Sequence, residues 1–261
     1  MKVIGLHGRW SKSRVQILYA EQTGVPSRLV LPAPDAYVLP GIAWGHFTHL
    51  FTPAFWRGQA WQHEAVGTYR SHRLGRSLIE EMAACLLGGF GMKAELGLAA
   101  YARLRDRGLL TGTPSQARLE AQLSEPFLLN GRLRRYRFPR QKARFLVTCL
   151  QRLSQFPEPP DDVALRDQLT TLPGIGLKTA SWIVRNCRAS NAVAIIDIHI
   201  LRAGRLIGLF GASHDPSRHY RDLERRFLDL AAAISTPAST LDALIWDYMR
   251  RLSPIVNRVY R

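Results

Sequence analysis

Apolar positions from Ser77 onward recur at helical spacing. Leu78, Ile79, Met82, Ala83, Leu86 and Leu87 fall one, three or four apart, and Gly88-Gly89 halts the run. The same pattern predicts further helices over residues 96–104, 117–123, 142–153, 162–169, 178–188, 198–209, 220–234 and 241–252. No clear two-residue alternation follows residue 75, so no strand ladder is expected there. The expected fold class is mainly α.

The first 75 residues have a different texture. Val3, Ile4 and Leu6 suit the start of a short strand. Pro26, Pro32, Pro34, Pro40 and Pro53 then interrupt the chain too often for long helices, so an irregular arm is expected over residues 1–75. The arm carries Trp44, Phe47, Phe51, Phe55, Trp56 and Trp61. Burial against the helical body is their favoured role, ahead of base binding, because rings stabilise mostly by burial. Residues 76–261 form the expected helical body.

Charge narrows the partner. Lys and Arg number 36 against 20 Asp and Glu, a formal net charge of +16. Such an excess repels itself in a compact state and suits a polyanionic partner. No run approaches the ~18 apolar residues of a membrane span, and Met1 to Trp10 lacks the apolar core of a signal peptide. Nucleic acid is therefore favoured over a membrane surface. Cys85, Cys149 and Cys187 are too scattered for a metal-ligand pattern or a disulfide framework. A reducing cytoplasm, a monomer, no membrane and no cofactor are expected.

The most informative stretch is Leu172-Pro173-Gly174-Ile175-Gly176-Leu177-Lys178-Thr179-Ala180. Two glycines permit a tight reversal between helices and leave main-chain N–H groups uncovered. Such groups, with the next helix N-terminus, can hold a phosphate. Leu172 and Ile175 would pack this hairpin onto its helices. A second copy of the tetrapeptide, Leu39-Pro40-Gly41-Ile42, lacks the second glycine and the lysine and is read as a plain turn. Asp197 lies 19 residues after Lys178, at the head of a helix. Alone, Asp197 is an ordinary N-cap and Lys178 an ordinary surface cation. The hairpin, lysine and aspartate together form a far more specific pattern.

LPGIGLKTASWIV followed by AIIDIHILR resembles the helix–hairpin–helix, Gly/Pro-rich loop, aspartate DNA glycosylases. The resemblance is specific from about Arg137 to Leu209 and weaker from Ser77. It implies two helical subdomains with the hairpin at their junction and a catalytic segment over residues 165–209. It also implies that Lys178 is a nucleophile and Asp197 the essential carboxylate, as in lysine-bearing members such as endonuclease III and the 8-oxoguanine glycosylases. Endonuclease III carries a four-cysteine iron–sulfur cluster, but no cysteine follows Cys187 here. The comparison shifts to the 8-oxoguanine glycosylases, with a monovalent cation at the hairpin left open. Trp182 lies one turn after Lys178, and Asp242 one turn before Trp246. Archaeal 8-oxoguanine glycosylases look similar at both places, which implies two rings stacking on an extruded base and a carboxylate reading its edge. The alternative is core tryptophans and a surface aspartate.

Arg132, Arg134, Arg135, Arg137, Arg140, Lys142 and Arg144 fall within thirteen residues that hold no acid, with Tyr136 and Phe138 interleaved. Phosphate binding competes here with a solvated face. The candidate DNA contacts are Gly174, Ile175, Gly176, Thr179, His199, Arg134 and Arg135. Gly88-Gly89-Phe90-Gly91 is read as a helix cap and turn. The expected function is excision of 8-oxoguanine or a related purine from double-stranded DNA, with associated strand cleavage, in base excision repair. Two alternatives stay open: a glycosylase for an oxidised pyrimidine or a hypermodified base in foreign DNA, and a non-catalytic DNA-binding module.

Overall fold

The computed structural model describes residues 15–22, 25–66, 73–89, 91–112, 114–157 and 159–259. The strand expected at Val3, Ile4 and Leu6 lies outside them. In chain order the elements begin with β1 (Val15–Gln22), β2 (Val25–Pro32), β3 (Tyr37–Leu39), β4 (Ile42–Ala43) and α1 (Pro53–Val66). Next come α2 (Leu78–Leu87), α3 (Ala94–Asp106), α4 (Gln116–Ser124), β5 (Phe127–Leu129) and β6 (Arg132–Arg134). The rest are α5 (Pro139–Leu153), α6 (Asp162–Leu169), α7 (Leu177–Arg188), α8 (Ile198–Leu206), α9 (Pro216–Ala233) and α10 (Ala238–Val259). The fold is mainly α. The chain forms two compact units, residues 1–70 with 194–261 and residues 71–193.

In the first unit the described residues of the arm, 15–22 and 25–66, form regular elements, which corrects the expectation of irregular chain there. β1 and β2 pair antiparallel, Val15 opposite Pro32 and Gln22 opposite Val25. Pro26 and Pro32 occupy this two-stranded hairpin, where a proline costs little because edge N–H groups need no partner. Pro53 opens α1, where its missing N–H removes nothing. Proline density thus marked element ends here, not the absence of elements. Gln16 knits the arm: its Nε2 donates to the Pro32 and Gly45 carbonyls (2.8 and 2.9 Å), and Oε1 accepts from Phe47 N (2.9 Å). The arm's aromatic rings bury as expected. Trp44, Phe47, Phe51, Phe55, Trp56 and Trp61 are all core residues. Phe55 and Trp56 meet Tyr248 of α10 edge-on at 5.6 and 5.7 Å.

The second unit is built around α2, whose residues from Glu81 to Leu87 are buried. Its start is set by Ser77, whose Oγ accepts from Glu80 N (3.2 Å). Glu81 is fully buried. One carboxylate oxygen accepts from Leu74 N and Gly75 N (both 2.7 Å), and the other from Asn186 Nδ2 of α7 (2.6 Å). Gly75 is needed there, because a Cβ would lie 2.4 Å from Glu81 N. At the other end of α2, the carbonyls of Leu86 and Leu87 would lack helical partners. Lys142 Nζ reaches the first and Tyr136 Oη the second, both at 2.6 Å. Burial lowers the Lys142 pKa and raises that of Tyr136. Lys142 and Tyr136 therefore leave the expected nucleic-acid run for a structural role.

β5 and β6 correct the expectation of no strands after residue 75. They pair antiparallel, Phe127 opposite Arg134, Leu128 opposite Leu133 and Leu129 opposite Arg132. Asn130 and Gly131 between them have φ of 50° and 72°. Two successive positive φ values make the two-residue turn that suits a hairpin's twist, and Asn-Gly is its commonest sequence.

Replacing Glu81 with Ala strands two backbone donors and Asn186 in a dry interior. A loss of about 3 kcal/mol or more is expected, measured by urea unfolding. A loss under about 1 kcal/mol would show that the carboxylate is not a structural node.

Candidate functional site

In the second unit the hairpin stands between α6 and α7. Ile175 N donates to Leu172 O (3.2 Å), closing the turn, and Leu172 and Ile175 are buried as expected. The two glycines have different reasons. Gly174 has φ of +79°, and a Cβ there would meet Phe145 Cδ2 at 2.3 Å. Gly176 has an ordinary φ of −93° and nothing within 4 Å of its Cβ position. Its missing side chain leaves exposed backbone open to approach. Gly176 is also the N-cap of α7 and supplies no side-chain acceptor. The first N–H groups of that helix are therefore held by no capping side chain, the condition under which a helix start attracts an anion.

Lys178 and Thr179 occupy the first turn of α7, both half-buried. Trp182 follows one turn later, half-buried. Its ring tip lies 3.5 Å from where a Cβ on Gly88 would stand, so the glycine makes room for the indole. Gly88 is the C-cap of α2, and Gly89 and Gly91 have φ of +92° and +72°, in keeping with the expected cap and turn.

In the first unit Asp197 is the N-cap of α8. Its Oδ1 accepts from His199 N (2.8 Å) and Ile200 N (2.9 Å). Among the described residues, Oδ2 takes no hydrogen bond. The carboxylate is thus fixed at a helix N-terminus with one oxygen uncommitted. The His199 ring meets Trp246 edge-on at 6.4 Å, and the Arg250 guanidinium lies 4.9 Å from the Trp246 ring centre. Trp246 is 41% exposed, whereas Asp242 is buried on the same helix. The alternative of a core Trp246 with a surface Asp242 is therefore reversed. The structure groups Asp197, His199, Asp242 and Trp246 in one unit, and the hairpin, Lys178, Thr179, Trp182, Arg134 and Arg135 in the other.

The basic run divides. Arg132, Arg134, Arg135, Arg137, Arg140 and Arg144 are exposed, while Lys142 and Tyr136 cap α2. Lys93, at the N-cap of α3, joins Arg132, Arg134, Arg135 and Arg137 along one cleft and was not marked by any sequence motif. Asn130-Gly131 was the available signal for the hairpin that carries two of them.

Helices flanking a glycine-rich hairpin, a lysine in the next turn and an aspartate cap two elements on define a helix–hairpin–helix protein. Residues 64–236 match the helix–hairpin–helix family model described as 8-oxoguanine DNA glycosylase. The chain belongs to that family. A curated relative from Metallosphaera sedula, 8-oxoguanine DNA glycosylase/AP lyase, is 32% identical over 42% of this chain and 57% of its own length. The chain thus matches a little over half the length of that relative. The 8-oxoguanine DNA glycosylase of Methanocaldococcus jannaschii superposes with a TM-score of 0.59 at 23% identity, over 79% of this chain and 97% of that one. The glycosylase/lyase of the same organism, in complex with a 15mer DNA containing 8-oxoguanine, gives a TM-score of 0.52 at 26% identity, over 67% and 80%.

The two glycines should respond differently to alanine. Gly174→Ala forces a left-handed φ and a clash with Phe145, and should cost about 1–3 kcal/mol on unfolding. Gly176→Ala should cost less than about 1 kcal/mol, the price of a poorer cap, while weakening DNA binding by the methyl it puts on the hairpin surface. Equal stability losses would overturn the distinction.

Proposed function

We propose that this chain is a DNA glycosylase with associated lyase activity, acting on 8-oxoguanine or a related purine in double-stranded DNA. The observation that carries the proposal is Lys178 in the first turn after the hairpin, in a chain of this family that also holds a carboxylate fixed at Asp197. Gly174, Ile175, Gly176 and Thr179 grip phosphate through the hairpin and the α7 start, with His199, Arg134 and Arg135 as further phosphate contacts.

The target nucleotide leaves the stack first, at a cost of about a few kcal/mol, least for a weakened pair. As the glycosidic bond stretches, positive charge grows on the sugar, and the ionised Asp197 stabilises it. The Lys178 amine, once deprotonated, attacks C1′. The bond to the base breaks, its electron pair leaves with the base, and the base takes a proton. Opening of the sugar ring gives an imine between Lys178 and C1′. Loss of a C2′ proton then expels the 3′ phosphate and nicks the strand, and water releases the lysine. Trp182 and Trp246 supply flat surfaces for the extruded base, and Asp242 supplies acceptors for a purine's N1–H and amino group.

Borohydride should trap a covalent adduct between the protein and an 8-oxoguanine duplex, and Lys178→Gln should abolish it while DNA binding persists. An undiminished adduct in the variant removes Lys178 from the nucleophile role. A parent protein that releases some other modified base, but not 8-oxoguanine, changes the substrate and keeps the mechanism.

Asp197→Asn keeps much of the cap, so the variant should remain folded. Base release should fall by about 10²-fold or more with the lost charge. Single-turnover release after alkali, beside circular dichroism, measures both, and near-normal turnover would reduce Asp197 to a cap.

A further inference from the structure

The β5–β6 hairpin has two dissimilar faces. Leu128 and Leu133 pair directly across it, and each is 70% exposed. Because neighbours on a strand point to opposite sides, Leu129, Arg132 and Arg134 turn the other way. They line an open cleft of about 710 Å³ with Lys93, Arg135 and Arg137, where the one acid is Glu95. Among the described residues, Arg132, Arg134 and Arg135 make no ion pair. Arg137 lies over the α2–α3 turn, its guanidinium 3.0 Å from where a Cβ on Gly91 would stand.

The base of the hairpin is held firmly. Phe127 is buried, with the Arg103 guanidinium 3.5 Å from its ring centre. Arg103 also donates to the carbonyls of Gln122, Glu125 and Pro126 at 2.8, 2.8 and 2.9 Å. A pair of large apolar side chains exposed at the middle of an anchored hairpin is costly to leave in water. Guanidiniums without ion pairs on its other face suit a polyanion. A second copy of this chain is disfavoured, since each copy carries a net charge of +16.

The geometry points to a second DNA grip, separate from the glycine hairpin and resting on the DNA-glycosylase reading above. The arginine face takes phosphates of one strand into the cleft, and Leu128 and Leu133 press against sugars and base edges, loosening the stack where a pair is already weak. Apolar side chains set beside basic ones open base steps in this way. Specificity for damage then has a component that senses how easily the duplex yields, apart from any contact to the extruded base.

The full chain tests this with three proteins: the parent, Leu128→Ser/Leu133→Ser and Arg132→Ala/Arg134→Ala. All the replaced side chains are exposed, so circular dichroism should be unchanged. Binding to an 8-oxoguanine duplex is followed by anisotropy across salt concentrations. The leucine variant should bind about tenfold more weakly at every salt with an unchanged slope. The arginine variant should flatten the slope of log affinity against log salt by about two. With 2-aminopurine beside the modified base, the fluorescence rise on binding should be lost in the leucine variant. A leucine variant equal to the parent in affinity and fluorescence overturns the inference. So does sedimentation showing a parent dimer that the leucine variant dissolves. Base release by the parent separates the two proposals: release with no leucine dependence sinks only the grip, and leucine-dependent binding without release sinks only the enzyme.

Discussion

The second unit depends on one buried carboxylate. Glu81 sits inside α2 and holds two main-chain donors of the preceding segment together with Asn186 of α7. A carboxyl group so far from water persists only when its oxygens are engaged. Once engaged, it ties three pieces of chain together: α2, the turn just before it, and α7, with Asn186 105 residues on. One of them is the helix whose opposite end bears the glycine hairpin and Lys178. The position of Lys178 is thus set partly by an acid that does not touch it.

The far end of α2 is tied by the same logic with opposite polarity. Its last carbonyls are reached by Lys142 and Tyr136, from the segment that also displays six exposed arginines. One run of basic sequence serves two purposes: part closes a helix, and part faces solvent as uncompensated charge. A charge run read from sequence has no way to divide itself. The division comes from which side chains can reach a buried acceptor.

The helices of residues 78–206 were legible because amphipathic periodicity is local and strong. Observed starts and ends differ from the expected ones mainly where caps decide, as at Pro139, which opens α5 three residues early. The hairpin, the place of Lys178 in the first turn of α7 and the Asp197 cap were legible because glycine conformation, helix starts and spacing lie within a short stretch. The arm was misread because its order comes from Gln16 and from rings that bury against α10, contacts that span much of the chain. Its grouping with residues 194–261 leaves no trace in composition. The β5–β6 hairpin was missed for another reason: three-residue strands show too little alternation to stand out, and the Asn130-Gly131 signal was passed over. Trp246 and Asp242 show the limit of helical spacing. It put them on one helix, and only the packing shows the ring exposed and the acid buried.

Gly176 stands in empty space with neither an unusual φ nor a crowded Cβ position. What it presents is peptide alone. Main-chain N–H groups meet the same phosphate oxygens whatever the bases beneath them. A grip of this kind has no favourite address, so it neither lingers at common sequences nor skips rare ones. For the proposed glycosylase such indifference is an asset, because chemical injury can arise at any position.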